Sequence, residues 1–450
     1  MNTINVQRVI GETRLTRFHV GMLFWACFII TFDMYDLVMY GSVLPVLIKQ
    51  WHMTPVEAGA IGSYGFFGMM VGAVLFGILA DRFGRTRILV ASVILFSVAT
   101  ALCGFAGDPV TFSVFRVLAG LGIGGILPTV IAMLSDYAPQ GRANTFVAIV
   151  MCFFHVGGIL AAIVAMNFIP AFGWQSVYWV AILPVFFLPF MVKYFVDSPA
   201  MLVRRGRSEA VRSVLAKVSP SASVPADAVF EGLAVPAPGS PVGALFTKGR
   251  ALGTVMIWIA FFMCLLMING LTVWLPNLMV QAGFPLGSSL TFVIVQNLGA
   301  IVGTLVLGRL ADRRGVKKVL VPMYVIAAIA LTLLGLGGNM AILLVLVGIT
   351  GACTMGAQNI SYAFVAEHYP SSMRSTAIGL ASAVGRLGAI VGPTFGGVLV
   401  MLNLGLEMNF LFFAVPGVIA AIAFLFVPLA RRTPAAAALT EPAVPVERQP

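Results

Sequence analysis

Long apolar stretches dominate the chain, separated by short segments that carry most of its charged, Gly and Pro residues. Each stretch runs for roughly 20–28 residues, enough for one helix to cross a ~30 Å hydrocarbon core. The pattern predicts twelve spans, at about 20–46, 56–80, 87–106, 110–134, 143–168, 174–195, 251–281, 288–311, 317–337, 340–365, 374–402 and 408–430. Between the sixth and seventh lies a polar segment, about 196–250, that contains Arg204-Arg-Gly-Arg207. Its first part is expected to form a short amphipathic helix at the membrane surface. Its second part, Ser219 to Pro241, holds too many prolines for a packed element and is expected to be flexible. The expected organisation is a six-helix bundle over 1–195, a linker over 196–250, a second six-helix bundle over 251–432 and a disordered tail over 433–450.

Composition agrees with the pattern. The chain is 60% hydrophobic and 10% charged, against ~25% charged residues in ordinary globular domains. It is therefore read as an all-α, polytopic membrane protein embedded in a lipid bilayer. The net charge of +11 would suit a nucleic-acid binder, but its distribution argues against one. Assigned to alternate sides of twelve spans, the loop Lys and Arg residues fall almost wholly on one side, and the other side receives Lys49. That is the positive-inside pattern, and it puts both termini in the cytoplasm. The five cysteines all lie within apolar spans and lack metal-binding spacing, so they are read as buried free thiols. The apolar run after residue 18 is too long for a signal-peptide core and is read as an uncleaved first span.

Within that first span sits Thr31-Phe-Asp33-Met-Tyr-Asp36-Leu-Val-Met-Tyr40. A carboxylate at the centre of a spanning helix costs ~2.5–3.5 kcal/mol on insertion scales, so such residues usually face a cavity and have a function. The spacing i, i+3 puts both aspartates on one helical face, which Tyr40 extends. Two other spans carry a cation. Arg116 precedes the small residues Gly120, Gly122, Gly124 and Gly125 in the fourth, and Arg386 lies mid-span in the eleventh.

The two halves also repeat. Gly77-Ile-Leu-Ala-Asp81-Arg82-Phe-Gly84-Arg85 matches Gly308-Arg-Leu-Ala-Asp312-Arg313-Arg-Gly315 at an offset of about 231 residues, and Asp136 to Arg142 matches Glu367 to Arg374 at nearly the same offset. With these motifs the chain resembles the major facilitator superfamily over nearly its full length. The resemblance implies two six-helix bundles around a central cavity that opens alternately to each side, with substrate near the bilayer midplane. The paired aspartates look like the Asp-Gly-x-Asp motif of the aromatic acid:proton symporter family, with Met34 in place of its Gly. The blocks Ala58 to Tyr64, Arg116 to Gly125 and Gly385 to Pro393 are also similar to that family. The run Gly388 to Gly397 resembles an antiporter motif, but that motif belongs in the fifth span, which here lacks Gly-Pro.

An aromatic carboxylate is an anion, and an inside-negative potential opposes its entry by ~2.3 kcal/mol per charge per 100 mV. Carrying one proton with it makes the step electroneutral. The expected function is thus a symporter in a bacterial inner membrane that imports benzoate or a hydroxybenzoate, with the proton as coupling ion and no cofactor. Asp33, Asp36 and Arg116 are the expected proton-coupling residues. Arg386, Tyr40, Tyr64, His155, Asn269, Asn359 and Tyr362 are candidates for substrate contact, with Trp274, Gln296, Asn297 and Gln358 as further residues that could line the cavity. Asp81, Arg85, Asp312, Arg313, Asp136, Arg142, Glu367 and Arg374 are read as gate residues on the cytoplasmic side. A symporter of another organic anion, or a drug:proton antiporter, is the alternative. A membrane-embedded enzyme or sensor finds no catalytic constellation, metal cluster or output domain. A monomer is expected.

If the aspartate pair carries the coupling proton, Asp33→Asn and Asp36→Asn should each abolish concentrative uptake of labelled aromatic acid into cells. Normal accumulation by either variant would remove that aspartate from the coupling site.

Overall fold

The computed structural model describes residues 3–204, 206, 208–219, 229–231, 242–247 and 250–428. The chain opens with a short strand β1 (Thr3–Asn5) and helix α1 (Val6–Gly11), then enters the first bundle. That bundle comprises α2 (Arg17–Trp51), α3 (Pro55–Phe83), α4 (Arg85–Cys103), α5 (Pro109–Gly124) continued by α6 (Ile126–Tyr137), α7 (Ala143–Phe172), and α8 (Gln175–Trp179) continued by α9 (Leu183–Val192). The linker contributes α10 (Pro199–Arg204), α11 (Ser208–Val218), strand β2 (Val229–Glu231) and a 3₁₀ turn at Val242–Phe246. The second bundle is α12 (Ala251–Gln281), α13 (Leu286–Arg314), α14 (Val316–Gly335), α15 (Met340–His368), α16 (Ser371–Met401) and α17 (Gly405–Phe426). Among the described residues, twelve helical segments are long and apolar enough to cross a membrane.

Local sequence explains the breaks. The fourth span is interrupted at Gly125, where the backbone meets the Phe76 side chain with no room for a Cβ. The sixth is wound as a 3₁₀ turn at Val180–Ile182, just before Pro184, whose missing N–H interrupts the α-helical ladder. The first span is longer than its apolar core, 35 residues in all. At its start His19 bridges two elements: its Nδ1 accepts from the Thr16 N–H, and its Nε2 donates to the Tyr137 carbonyl at 3.0 Å. Asp108 caps α5 by accepting from the Thr111 hydroxyl and N–H and from the Val110 N–H. Those bonds, the Thr111 hydroxyl first, hold its carboxyl below the usual range.

Glycine sets how closely the helices approach. Between α3 and α5, a Cβ at Gly68 would lie 2.2 Å from the Val117 carbonyl, at Gly72 2.0 Å from that of Leu121, and at Gly120 2.1 Å from that of Gly65. The same device recurs between α13 and α15, where a Cβ at Gly299 would lie 2.1 Å from the Gly348 carbonyl and at Gly351 2.0 Å from that of Gln296. Small residues allow such backbone contact in a bilayer, where burying apolar side chains against one another gains little over lipid.

The two bundles meet where α3 packs on α16, α7 on α13 and α2 on α12. The closest approaches lie toward the end remote from the linker. A Cβ at Gly59 would lie 2.5 Å from the Pro393 carbonyl, at Gly397 2.4 Å from that of Pro55, and at Gly41 2.6 Å from that of Thr272. Ser63 and Thr394 share a hydroxyl hydrogen bond of 2.8 Å across the same seam. The bundle pair is therefore closed at that end.

At the linker end, α10 and α11 replace the single surface helix expected there. Val211, Val214, Leu215 and Val218 of α11 pack with Val6, Ile10 and Phe18 against the first bundle. The expectation that Ser219 to Pro241 lacks a packed element needs correction at Val229–Glu231, which pairs in parallel with Thr3–Asn5 as a two-stranded sheet. Phe230 is buried there, which gives three residues between the prolines a reason to be ordered. Ser219, directly after α11, is also described and buried; residues 220–228 and 232–241, and the tail expected to be disordered, lie outside the described residues.

Gly120→Val should lower the thermal unfolding midpoint of the detergent-solubilised protein, since overpacking of this kind costs about 1–3 kcal/mol. Gly77→Val, with nothing within 4 Å of its Cβ position, serves as the control. Equal midpoints for the two variants would refute backbone contact as the constraint on α3–α5 spacing.

Candidate functional site

The two aspartates of α2 sit one helical turn apart and have different surroundings. Asp36 is fully engaged within the first bundle. Its Oδ1 accepts from the Thr100 hydroxyl of α4 at 2.7 Å, and its Oδ2 accepts from Arg116 Nη1 of α5 at 2.8 Å. The Arg116 side chain is 4% exposed and that of Asp36 1%, so the pair is out of solvent. The Tyr40 ring lies 5.5 Å from the Arg116 guanidinium carbon, within cation–π range. Gly65 leaves the space the guanidinium fills: a Cβ there would come within 3.0 Å of Arg116 Nη2.

Asp33 is equally buried, at 2% exposed, yet its Oδ1 has no hydrogen-bond partner among the described residues. It interacts electrostatically with Asp36 and, across the seam between bundles, with Arg386 of α16. Arg386 in turn lies within electrostatic reach of Tyr362 on α15, and its Nη1 donates to the Met69 carbonyl of α3 at 3.3 Å. Mid-span residues of four helices, α2, α3, α15 and α16, thus converge on one anionic and one cationic side chain. Met34, where the family motif has Gly, is buried against α7, where a Cβ at Gly157 would lie 3.1 Å from the Met34 Cβ. The larger side chain at 34 is accommodated by a glycine facing it.

The other candidates separate by position. His155 of α7 is buried and abuts Asn297 of α13. Asn269 is partly buried, and its amide donates to the Leu265 carbonyl of its own helix at 2.8 Å. Asn359 donates to the Thr304 hydroxyl at 3.1 Å and so ties α15 to α13. Tyr362 packs edge-on against Phe261 with ring centroids 5.1 Å apart. Two expectations need correction. Tyr64 is 46% exposed and belongs to the exposed stripe of Phe67, Val71, Val74 and Ile78, on the face of α3 opposite Gly62, which meets Tyr40. It does not line the interior, because helical rotation carries position 64 outward. Tyr40 is fully buried and its hydroxyl donates to the Ala58 carbonyl, so it supports Arg116 and offers no free polar atom. Trp274 is likewise spent, with its indole N–H donating to the Pro393 carbonyl at 2.8 Å.

At the linker end the sequence repeat is only half matched in contacts. Arg85 pairs with Asp136, whereas the positions 231 residues on are Val316 and Glu367. Lys317 instead caps the last helix, donating to the Leu425 and Val427 carbonyls at 2.8 and 2.6 Å. Gly84 and Gly315 both adopt positive φ, +111° and +92°, so the turn itself is repeated. Asp81, Arg142, Asp312, Arg313, Glu367 and Arg374 are exposed. Asp197 escaped the sequence reading: its Oδ1 accepts from the Thr86 N–H at 3.0 Å, and its carbonyl accepts from the Tyr137 hydroxyl at 2.6 Å. Nothing in an Asp-Ser-Pro after a span announces that it will cap the helix that starts at Arg85.

The family model of the Major Facilitator Superfamily matches residues 26–296 and 291–449, and the chain belongs to that superfamily. It is a transporter, not an enzyme. Among solved structures it resembles the inward-open xylose transporter XylE of E. coli, with a TM-score of 0.74 at 14% identity, covering 92% of this chain and 98% of that one. Among curated proteins it is 40% identical to the benzoate transport protein of Acinetobacter baylyi, over 92% of this chain and 91% of that protein. It is 36% identical to the gentisate transporter of Corynebacterium glutamicum, over 88% and 84%. It is 28% identical to the 4-hydroxybenzoate transporter PcaK of A. baylyi, over 96% of each.

Removing one partner of a buried ion pair costs about 3–5 kcal/mol, because the other charge is left unpaired. Arg116→Met should therefore lower thermal stability strongly, and the double variant Asp36→Asn/Arg116→Met should recover a large part of the loss. A double variant no more stable than Arg116→Met would show that the two side chains do not act as a pair.

Proposed function

We propose that this chain is a proton-coupled importer of an aromatic monocarboxylate in a bacterial inner membrane, with both termini in the cytoplasm. The observation that carries the reading is the asymmetry of the aspartates. Asp36 is neutralised by Arg116, whereas Asp33 is buried, keeps an oxygen without a partner among the described residues and lies within electrostatic reach of Arg386 of the opposite bundle. In this reading Arg386 receives the substrate carboxylate, since a guanidinium fork matches a carboxylate in two hydrogen bonds. A substrate anion at Arg386 competes with Asp33 for the same cation and leaves Asp33 better off protonated. Proton binding and substrate binding then favour each other reciprocally. The loaded site carries no added charge, so it can cross with the moving bundles at little electrostatic cost.

The substrate class is supported by the relatives whose names specify benzoate, gentisate and 4-hydroxybenzoate. Arg85 and Asp136, joined at the linker end of the first bundle, are assigned to the gate on that side, and Ser63 and Thr394 to the closed side. Antiport gains no support from α7, which has no Gly-Pro pair along Ala143–Phe172.

Uptake of labelled benzoate and 4-hydroxybenzoate into membrane vesicles, with and without an imposed pH gradient, tests the proposal. Accumulation should appear with an acid-outside gradient and collapse on addition of a protonophore. Accumulation that survives the protonophore overturns symport, and no accumulation of any aromatic acid overturns the substrate class.

A further inference from the structure

Helices α2 and α9 pack through a short line of contacts at the outside of the first bundle. A Cβ at Gly21 would lie 2.2 Å from the Tyr194 ring, while the Trp25 and Phe28 rings lie 6.0 and 5.4 Å from that of Phe187. Positions rise along α2 as they fall along α9, so the two run antiparallel. The start of α2 and the end of α9 therefore meet at the linker end. One position after the contact residues, Ile29 and Leu188 line a cavity with Leu89 and Val93 of α4. One position before them come Val20 and Phe24 on α2 and Phe186 on α9, which Phe190 continues one turn on. In an antiparallel pair that offset puts both stripes on the same side of the contact line, away from α4. All four side chains are 60–67% exposed.

Each stripe ends in a cation. Arg17 stands three residues before Val20, and Lys193 three after Phe190, so each shares the face of its stripe. Both are exposed, and neither side chain has an ion pair or hydrogen bond among the described residues. The first turn of α2 holds no acidic residue, so the helix dipole favours an anion where Arg17 does. We propose that Arg17 and Lys193 bind the headgroup of an anionic phospholipid whose acyl chains lie along Val20, Phe24, Phe186 and Phe190. The apolar stripes identify the source of the anion. They belong to two helical segments long enough to span a bilayer, so the molecules that meet them are lipids. A phosphatidylcholine headgroup carries an ammonium that offsets its phosphate, which leaves the two cations to select an acidic lipid. The site lies in the leaflet at the linker end, the cytoplasmic one in the orientation proposed above, and it does not depend on the cargo.

Native mass spectrometry of the full-length protein, titrated in detergent with phosphatidylglycerol or with phosphatidylcholine of the same chains, tests this. The first phosphatidylglycerol should bind about tenfold or more tightly than the first phosphatidylcholine. Arg17→Gln/Lys193→Gln should reduce that ratio to about threefold or less. Arg314→Gln/Lys318→Gln removes the same charge from exposed residues at the linker end of the second bundle and should leave the ratio within about twofold of wild type. Should the first double variant fail to give monodisperse protein, Arg17→Gln and Lys193→Gln singly read the same ratio. A wild type without preference for phosphatidylglycerol, or equal losses in the two double variants, overturns the site. A dimer that excludes phosphatidylglycerol assigns the face to a second copy of the chain and overturns it as well. None of these outcomes bears on aromatic-acid transport, which the vesicle uptake assay reads separately.

Discussion

Charge buried in a hydrocarbon setting must be neutralised, and that requirement shapes the first bundle. Asp36 and Arg116 meet at 2.8 Å, and the elements around them accommodate the pair. Gly65 clears space for the guanidinium, Tyr40 lies within 5.5 Å of it, and Thr100 satisfies the second carboxylate oxygen. Together these contacts bring α2, α3, α4 and α5 to one point. Against that pair, Asp33 stands out one turn earlier, buried with an oxygen that has no hydrogen-bond partner among the described residues and within electrostatic reach of Arg386 in the opposite bundle. Two carboxylates three residues apart thus differ in what surrounds them, and that difference is what allows them separate roles.

The seam between the bundles obeys a second constraint. At the end remote from the linker its tight contacts are backbone against backbone, made at Gly41, Gly59 and Gly397, with the Ser63–Thr394 hydroxyl pair beside them; nearer the middle Arg386 donates to the Met69 carbonyl. Within each bundle, by contrast, long glycine tracks hold the helices together, and the first bundle adds the buried Asp36–Arg116 pair. A transporter that alternates between two open sides needs bundles that stay intact and a seam that parts. Contacts between small residues separate without stranding a charge, which suits the closed end of the seam, while Arg386 near its middle is the charge that parting would release.

Much of the architecture was legible in the sequence. Span number followed from the length of the apolar runs, because a hydrocarbon slab imposes a minimum helix length whatever the packing. The turn glycines at 84 and 315 and the intramembrane charges could be singled out for the same kind of reason, since each residue type answers a local physical demand. The linker was less legible. A Pro-rich stretch gives no sign that its Val229–Glu231 will pair with Thr3–Asn5, because pairing depends on a partner more than two hundred residues away.

The candidate site divides along the same line. Sequence alone determined that Asp33, Asp36, Arg116 and Arg386 lie in the membrane and need partners, because the cost of charge there does not depend on the fold. Tertiary structure decided which partner each received. Arg116 went to Asp36, Arg386 came within electrostatic reach of Asp33, and Tyr64, on an equally polar-looking stretch, turned outward to the exposed stripe. Those outcomes depend on how each helix is rotated against its neighbours, and that rotation is set by glycines meeting backbones on other helices, which no single stretch of the chain encodes.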